Sequence, residues 1–259
     1  MHLPVELIDE ILNHIPPHDK ESLRNCSLVA RSWLDLCQRR IFESVTISPD
    51  TQQSWLDSIP PTNTELLRHV QELVYVVRAR RGLPYSPCRI GDDLGDYLPS
   101  FLQLQRLAFG LVDIQPIISD NLNLFFAFKH SLSSLLLLQI STTWNGFVTL
   151  LAYFPNIRNL QVRGVLFEVD DSPAPHLPHA LRGRLFIRCV QERDPEAFID
   201  RFAGLKLEYE KLVIMGDYDQ RLVAAVEDNL EYLRIARCIC KLSCCIHRFT
   251  VHPSNLTSQ

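Results

Sequence analysis

Residues 157–163 read IRNLQVR: an apolar residue, two polar ones, a leucine, then glutamine, valine and arginine. Leu160 and Val162 alternate with polar neighbours at the period of two that turns one face of a short strand into a core and the other outward. The same form, apolar-x-x-Leu-x-apolar, recurs on both sides of this stretch. Toward the N-terminus stand VQELVYV from Val70, LQRLAFG from Leu104 and LSSLLLL from Leu132. Toward the C-terminus stand LRGRLFI from Leu181, with its leucine one place later, YEKLVIM from Tyr209 and LEYLRIA from Leu230. The aligned leucines are Leu73, Leu107, Leu135, Leu160, Leu185, Leu212 and Leu233, with separations of 34, 28, 25, 25, 27 and 21 residues. A recurrence at this spacing is the mark of units that each bury an apolar face only against their neighbours.

Between the strand segments the chain returns, and several returns carry helical spacing. Asp194 caps, Pro195 takes the first turn, and Ala197, Phe198, Phe202 and Leu205 follow. Phe147, Val148, Leu150, Leu151 and Phe154 form a second stripe, and Leu222, Val223 and Val226 a third. The stretches 79–93 and 170–179, rich in proline and turn residues, read as surface loops. Strand, turn and helix repeated with one hand predict a curved solenoid with a parallel sheet on its concave side. The alternative reading makes the seven segments ordinary strands of a non-repetitive α/β domain.

Ahead of this region, Leu3–Ile47 (LPVELIDEILNHIPPHDKESLRNCSLVARSWLDLCQRRIFESVTI) predicts three helices and a short strand. Pro4 suits a first helical turn, Leu7, Ile8, Ile11, Leu12 and Ile15 form one apolar face, and Pro16-Pro17 end the helix. Asp19 caps a second helix carrying Leu23 and Cys26, and a third begins near Ala30 with Val29, Trp33, Leu36 and Ile41 as its apolar contacts. Val45-Thr46-Ile47 is β-branched throughout. Three helices in so short a span enclose little apolar surface, so part of it is expected to meet neighbouring chain or a partner.

The pattern LPxELxxEIL, a spacer and then LxxCSLVxRSWL resembles the F-box. That resemblance implies docking on the Skp-type adaptor of an SCF-type cullin–RING ubiquitin ligase, through Leu3, Pro4, Leu7, Ile11, Leu12, Leu23, Leu28, Val29 and Trp33. With the repeats that follow, the chain resembles F-box proteins with degenerate leucine-rich repeats, a type abundant in fungi. The expected fold class is therefore α/β. Residues 1–47 make an F-box-like helical module, 48–237 a leucine-rich-repeat-like solenoid, and 238–259 a cysteine-rich tail. The sequence departs from the better-known leucine-rich repeat in lacking, in nearly every copy, the asparagine that usually closes each strand's turn.

Composition narrows the function. With 46% hydrophobic and 22% charged residues the chain is in the globular range, and a net charge of −4 gives no general attraction to nucleic acid or anionic membrane. No apolar run is long enough to span a bilayer and the N-terminus lacks a signal-peptide pattern. Eight irregularly spaced cysteines fit reduced thiols, so a cytoplasmic or nuclear home is expected. No phosphate-cradling glycine loop, nucleophile elbow or HExxH helix is present, and the expectation is a non-catalytic subunit with no cofactor. In the tail, Cys238, Cys240, Cys244 and Cys245 are too closely spaced to wrap a structural zinc ion, so no metal is expected.

If the aligned apolar residues face inward, the residues flanking and between them face outward. On the later strands these include Arg163, Arg184, Phe186, Arg188, Lys211, Met215 and Arg234. Guanidinium groups beside apolar contacts suit an acidic or phosphorylated peptide, because Arg pairs bidentately with carboxylate and phosphate. The expected partners are thus the adaptor and an unidentified target protein. A repeat scaffold that binds proteins without any ligase is the second reading.

Overall fold

The computed structural model describes residues 3–16, 18–48, 51–52, 54–55, 61–76, 88–89, 97–120, 122–168, 176–188, 200–215, 223–225, 227–238 and 246–251. It is a mixed α/β structure with a helical N-terminus and a largely parallel sheet.

Helix α1 is Val5–Asn13, α2 is Lys20–Ser27 and α3 is Arg31–Glu43. Pro4 occupies the N-cap of α1 and not its first turn, and the helix ends at Asn13, ahead of the prolines. Asp19 caps α2 with its side chain, accepting from the Ser22 amide at 3.1 Å, and hydrogen bonding to the Ser22 side chain, with that amide second, holds the carboxyl below its ordinary pKa. Ile8, Leu12, Leu23 and Cys37 make a small buried cluster, with Ile15, Cys26, Trp33, Leu36 and Ile41 packed around it.

Helix α3 runs straight into β1, Ser44–Ile47, which pairs in parallel with β2, Glu72–Val76. The strand that the sequence groups with the helices is therefore the first of a nine-stranded sheet. It continues through β4 (Arg106–Gly110), β6 (Ser134–Leu138), β8 (Asn159–Arg163), β10 (Leu181–Arg188), β11 (Leu207–Met215) and β12 (Tyr232–Cys238). The last strand, β13 (Ile246–Val251), is antiparallel to β12. Along the parallel part the register aligns Val45, Leu73, Leu107, Leu135, Leu160, Leu185, Leu212 and Leu233 in one row. All eight are buried. The one-place shift in LRGRLFI is taken up at Gly183, whose φ is +91° and next to which the ladder with β11 changes register.

A second, four-stranded parallel sheet runs β3-β5-β7-β9: Cys88–Arg89, Val112–Asp113, Ser141–Thr143 and Leu166–Glu168. The chain steps from β4 to β5, from β6 to β7 and from β8 to β9 through corners that hold Leu111, Gln139 and Gly164. These residues have φ of 57°, 49° and 62°. Each corner amide donates to the carbonyl that ends the next long strand: Leu111 to Leu138 (2.9 Å), Gln139 to Arg163 (2.7 Å) and Gly164 to Arg188 (2.8 Å). The backbone thus closes turns for which the sequence offers no asparagine.

Behind the long sheet lie α4 (Gln115–Asp120), the 3₁₀ turn Leu122–Phe128 and α5 (Trp144–Tyr153). The stripe Phe147, Val148, Leu150, Leu151 and Phe154 is fully buried there. Aromatic rings fill the space, with Phe128 stacked on Phe154 at 6.2 Å and Trp144 5.6 Å from both Phe147 and Phe167. Phe202 joins them from a helical turn at 200–203. Asp194, Pro195, Ala197, Phe198, Leu222 and Val226 lie outside the described residues, as do nearly all of 79–93 and much of 170–179.

Candidate docking surfaces

The helical module is built with more apolar surface than its own core consumes. Ile8 and Leu12 of α1 turn inward, whereas Leu7 and Ile11 are rotated about 100° per residue away from them and are exposed. Leu28, 84% exposed, and Val29, 67% exposed, stand on the tight turn between α2 and α3, whose amides are tied to the Asn25 and Cys26 carbonyls. Leu3, Val5 and Leu34 complete the set, so seven of the ten large hydrophobics exposed among the described residues belong to residues 3–34. Burying such side chains is worth about 1.5–3 kcal/mol each, so a partner covering the set would gain on the order of 10 kcal/mol before association costs.

The structure divides the residues assigned by sequence. Leu3, Pro4, Leu7, Ile11, Leu28 and Val29 are at the surface and Trp33 is half-buried against the small core. Leu12 and Leu23, by contrast, have no exposed area. As contact residues they are a correction: fully enclosed side chains support the helices that a partner would touch and do not touch it themselves.

Two basic residues that the sequence reading does not single out hold the module's shape. Lys20 donates from Nζ to the carbonyls of Ile41 and Ser44, each at 2.8 Å, so the start of α2 closes the end of α3. Burial pushes its ammonium pKa down. Arg40 donates to the Leu12 carbonyl at 2.7 Å and to Asn13 Oδ1, closing the end of α1. No spacing rule could reveal these bonds, since the acceptors are backbone carbonyls remote in sequence. Ile41 packs on the module's core while its neighbour Phe42 packs on the core of the sheet. The exposed apolar set is consequently joined to the sheet through α3 without a flexible linker at that point.

On the long sheet, the residues alternating with the buried row face outward. Register sets Arg184 beside Asn159 and Lys211, Phe186 beside Gln161 and Val213, Arg188 beside Arg163 and Met215, and Arg234 beside Val213. The expected basic and apolar residues are therefore neighbours on adjacent strands, although the side chain of Met215 lies outside the described residues. Arg163 differs from the rest. Its guanidinium lies 4.5 Å over the Phe186 ring and donates to Gln161 Oε1 at 2.6 Å, so it is laid down on the sheet. Elsewhere on the same sheet Arg106 pairs with Glu72 and Arg182 with Glu208. Among the described residues no carboxylate pairs with Arg184, Arg188, Lys211 or Arg234.

Among the described residues no group of three or more His, Cys, Asp or Glu is placed to hold a metal, and no helix is long and apolar enough to cross a membrane. Cys240, Cys244 and Cys245 and the side chain of Cys238 lie outside those residues.

Compared with curated proteins, the chain has no match. Compared with family models, residues 1–44 match the F-box domain. This match covers α1, α2 and α3 and ends at the first residue of β1. It points to the substrate-recognition arm of SCF-type ubiquitin ligases, in which F-box domains bind Skp-type adaptors.

Proposed function

We propose that this chain is a substrate-receptor subunit of an SCF-type cullin–RING ubiquitin ligase, itself non-catalytic and acting in the cytoplasm or nucleus. The helical module docks on the Skp-type adaptor. Residues 48–237 form a degenerate leucine-rich-repeat-like solenoid whose outer sheet face holds the target. Its contribution to catalysis is proximity, because a tethered target meets the charged ubiquitin carrier at high effective concentration. The observation that carries this reading is the crowding of exposed leucine, isoleucine and valine onto the segment that matches the F-box domain.

The outward residues Arg163, Arg184, Phe186, Arg188, Lys211, Met215 and Arg234 are assigned to an acidic or phosphorylated target. Support comes from the four cations without a carboxylate partner among the described residues, in a chain whose net charge is −4. The test is co-purification of the full chain with the Skp-type adaptor, with bound proteins identified by mass spectrometry with and without proteasome inhibition. Replacing Leu3 and Pro4 by alanine should release the adaptor and leave the sheet folded. A wild-type chain that captures proteins but never the adaptor would instead be an interaction scaffold outside any ligase.

A further inference from the structure

The outer face of the long sheet changes character halfway along. On β2, β4 and β6 the first outward row is Glu72, Arg106 and Ser134, where the two charges pair with each other, and the next two rows, Val74, Ala108 and Leu136 and then Val76, Gly110 and Leu138, carry no charge. Four strands with basic outward residues follow, from β8 to β12. Gly110 is what lets the apolar half close up. A Cβ there would stand 2.9 Å from Val76 Cγ2 and 3.8 Å from Leu138 Cδ2, so those two side chains lean over the glycine, which is buried. In the neighbouring row Ala108 lies between Val74 and Leu136 in register, a methyl group flanked by two larger side chains. This leaves a shallow, half-buried apolar seat one strand wide.

The two halves are joined without a gap. Leu138, Arg163 and Arg188 are successive in one register row. Because Arg163 lies flat on Phe186, its aliphatic stem and the ring extend the apolar floor, and Arg188 is the next cation along that row without a carboxylate partner among the described residues. From β4 to β10 there are three strand spacings, about 14 Å at roughly 4.8 Å each. An extended peptide covers that distance in about four residues.

We infer that the target segment is a short bipartite peptide: an aliphatic side chain seated over Ala108 between Val74 and Leu136, and about four residues from it an anionic group, carboxylate or phosphate, on Arg188 and its basic neighbours. This rests on the outer sheet face being the receptor surface and adds to it the spacing and the second, apolar requirement. An acidic block alone lacks the anchor, and an aliphatic segment alone leaves the cations unmatched.

The test uses the purified full chain and fluorescein-labelled twelve-residue peptides in a Gly/Ser background, read by anisotropy. One peptide carries leucine with a Glu-Glu pair four residues on. Others replace the pair by phosphoserines, move it next to the leucine, exchange it for Lys-Lys, or exchange the leucine for serine. The spaced anionic peptides should bind about tenfold or more tighter than the adjacent, basic and leucine-free ones, with the Glu and phosphoserine arms showing which anion is preferred. Arg188→Glu should cancel that preference and raise the affinity of the Lys-Lys peptide. Leu136→Ser, at a half-buried position outside the core, should weaken only the peptides that contain leucine. Equal binding of spaced and adjacent peptides, or indifference to both variants, overturns the inference. If it falls while Arg163→Glu/Arg188→Glu still abolishes capture of cellular targets, the receptor surface stands and only the bipartite motif is lost. If capture is unaffected as well, both fall.

Discussion

Leu28 and Leu12 are the same side chain in opposite circumstances, and they offer a sharp separation of docking from folding. Leu28 is 84% exposed on the α2–α3 turn, so truncating it removes almost no contact within the chain. Its burial under an adaptor would be worth about 0.8 kcal/mol per methylene-sized group. Leu28→Ala deletes three such carbons and should cost about 2 kcal/mol of docking energy, roughly a thirtyfold rise in Kd. Leu12 has no exposed area and lies in a cluster whose fully buried members among the described residues are Ile8, Leu12, Leu23 and Cys37. Leu12→Ala should cost about 2–5 kcal/mol of stability, since so small a core has little capacity to collapse around the void. Calorimetric titration with the Skp-type adaptor, beside hydrogen exchange of residues 5–43, measures both. The expected pattern is weakened docking with native protection for Leu28→Ala, and lost protection for Leu12→Ala. If Leu28→Ala bound the adaptor as tightly as the wild type, or lost protection as Leu12→Ala does, the assignment of this turn to the docking surface would be wrong.

Other outcomes follow from single features of the sheet. Tyr209 is fully buried, its hydroxyl has no hydrogen-bond partner among the described residues, and burial raises its pKa far above the ordinary value. The folded state therefore retains a proton that the unfolded chain releases above about pH 10, so stability should be intact below that pH and fall as pH rises past it. Tyr209→Phe should flatten this alkaline loss in urea titrations between pH 8 and 11, and should stabilise the protein by about 1 kcal/mol at neutral pH by removing an unsatisfied group. Gly183→Ala should destabilise by more than about 2 kcal/mol, because its φ of +91° disfavours a side chain and the new Cβ would collide with the Arg158 carbonyl; thermal melting of the purified variant reads this directly. The double reversal Arg163→Glu/Arg188→Glu should abolish target recovery in a pull-down while adaptor recovery is unchanged, and any residual target binding should be less sensitive to salt.

The row of leucines was legible because period-two alternation and a buried strand face are the same fact seen twice. Leu73 through Leu233 align in the sheet as they do in the sequence. The second sheet was not legible. Val112–Asp113 and Ser141–Thr143 are too short to carry a period, and their strand geometry comes from neighbours in register and not from their own residues. From Leu7 to Ile15, five apolar residues at i, i+1, i+4, i+5 and i+8 read as one face, yet the stripe is wide enough to serve two directions and its last member lies past the end of α1. Ile8 and Leu12 take the interior and Leu7 and Ile11 the exterior. Which half is which depends on where α3 lies, a tertiary fact. Alternation is enough to put the basic residues of the later strands side by side in register, but not to reveal the repose of Arg163 on Phe186, which needs the ring and the guanidinium to be seen together.

The corners at Leu111, Gln139 and Gly164 carry a consequence for how such a chain can change over generations. Each is closed by its own amide reaching the carbonyl one unit further on, so the turn asks for a backbone conformation and not for a particular side chain. Leucine, glutamine and glycine all occupy it. Three different letters thus serve one shape, since the instruction is carried by the main chain. A fold propagated in that manner becomes hard to spot by spelling long before it becomes hard to build.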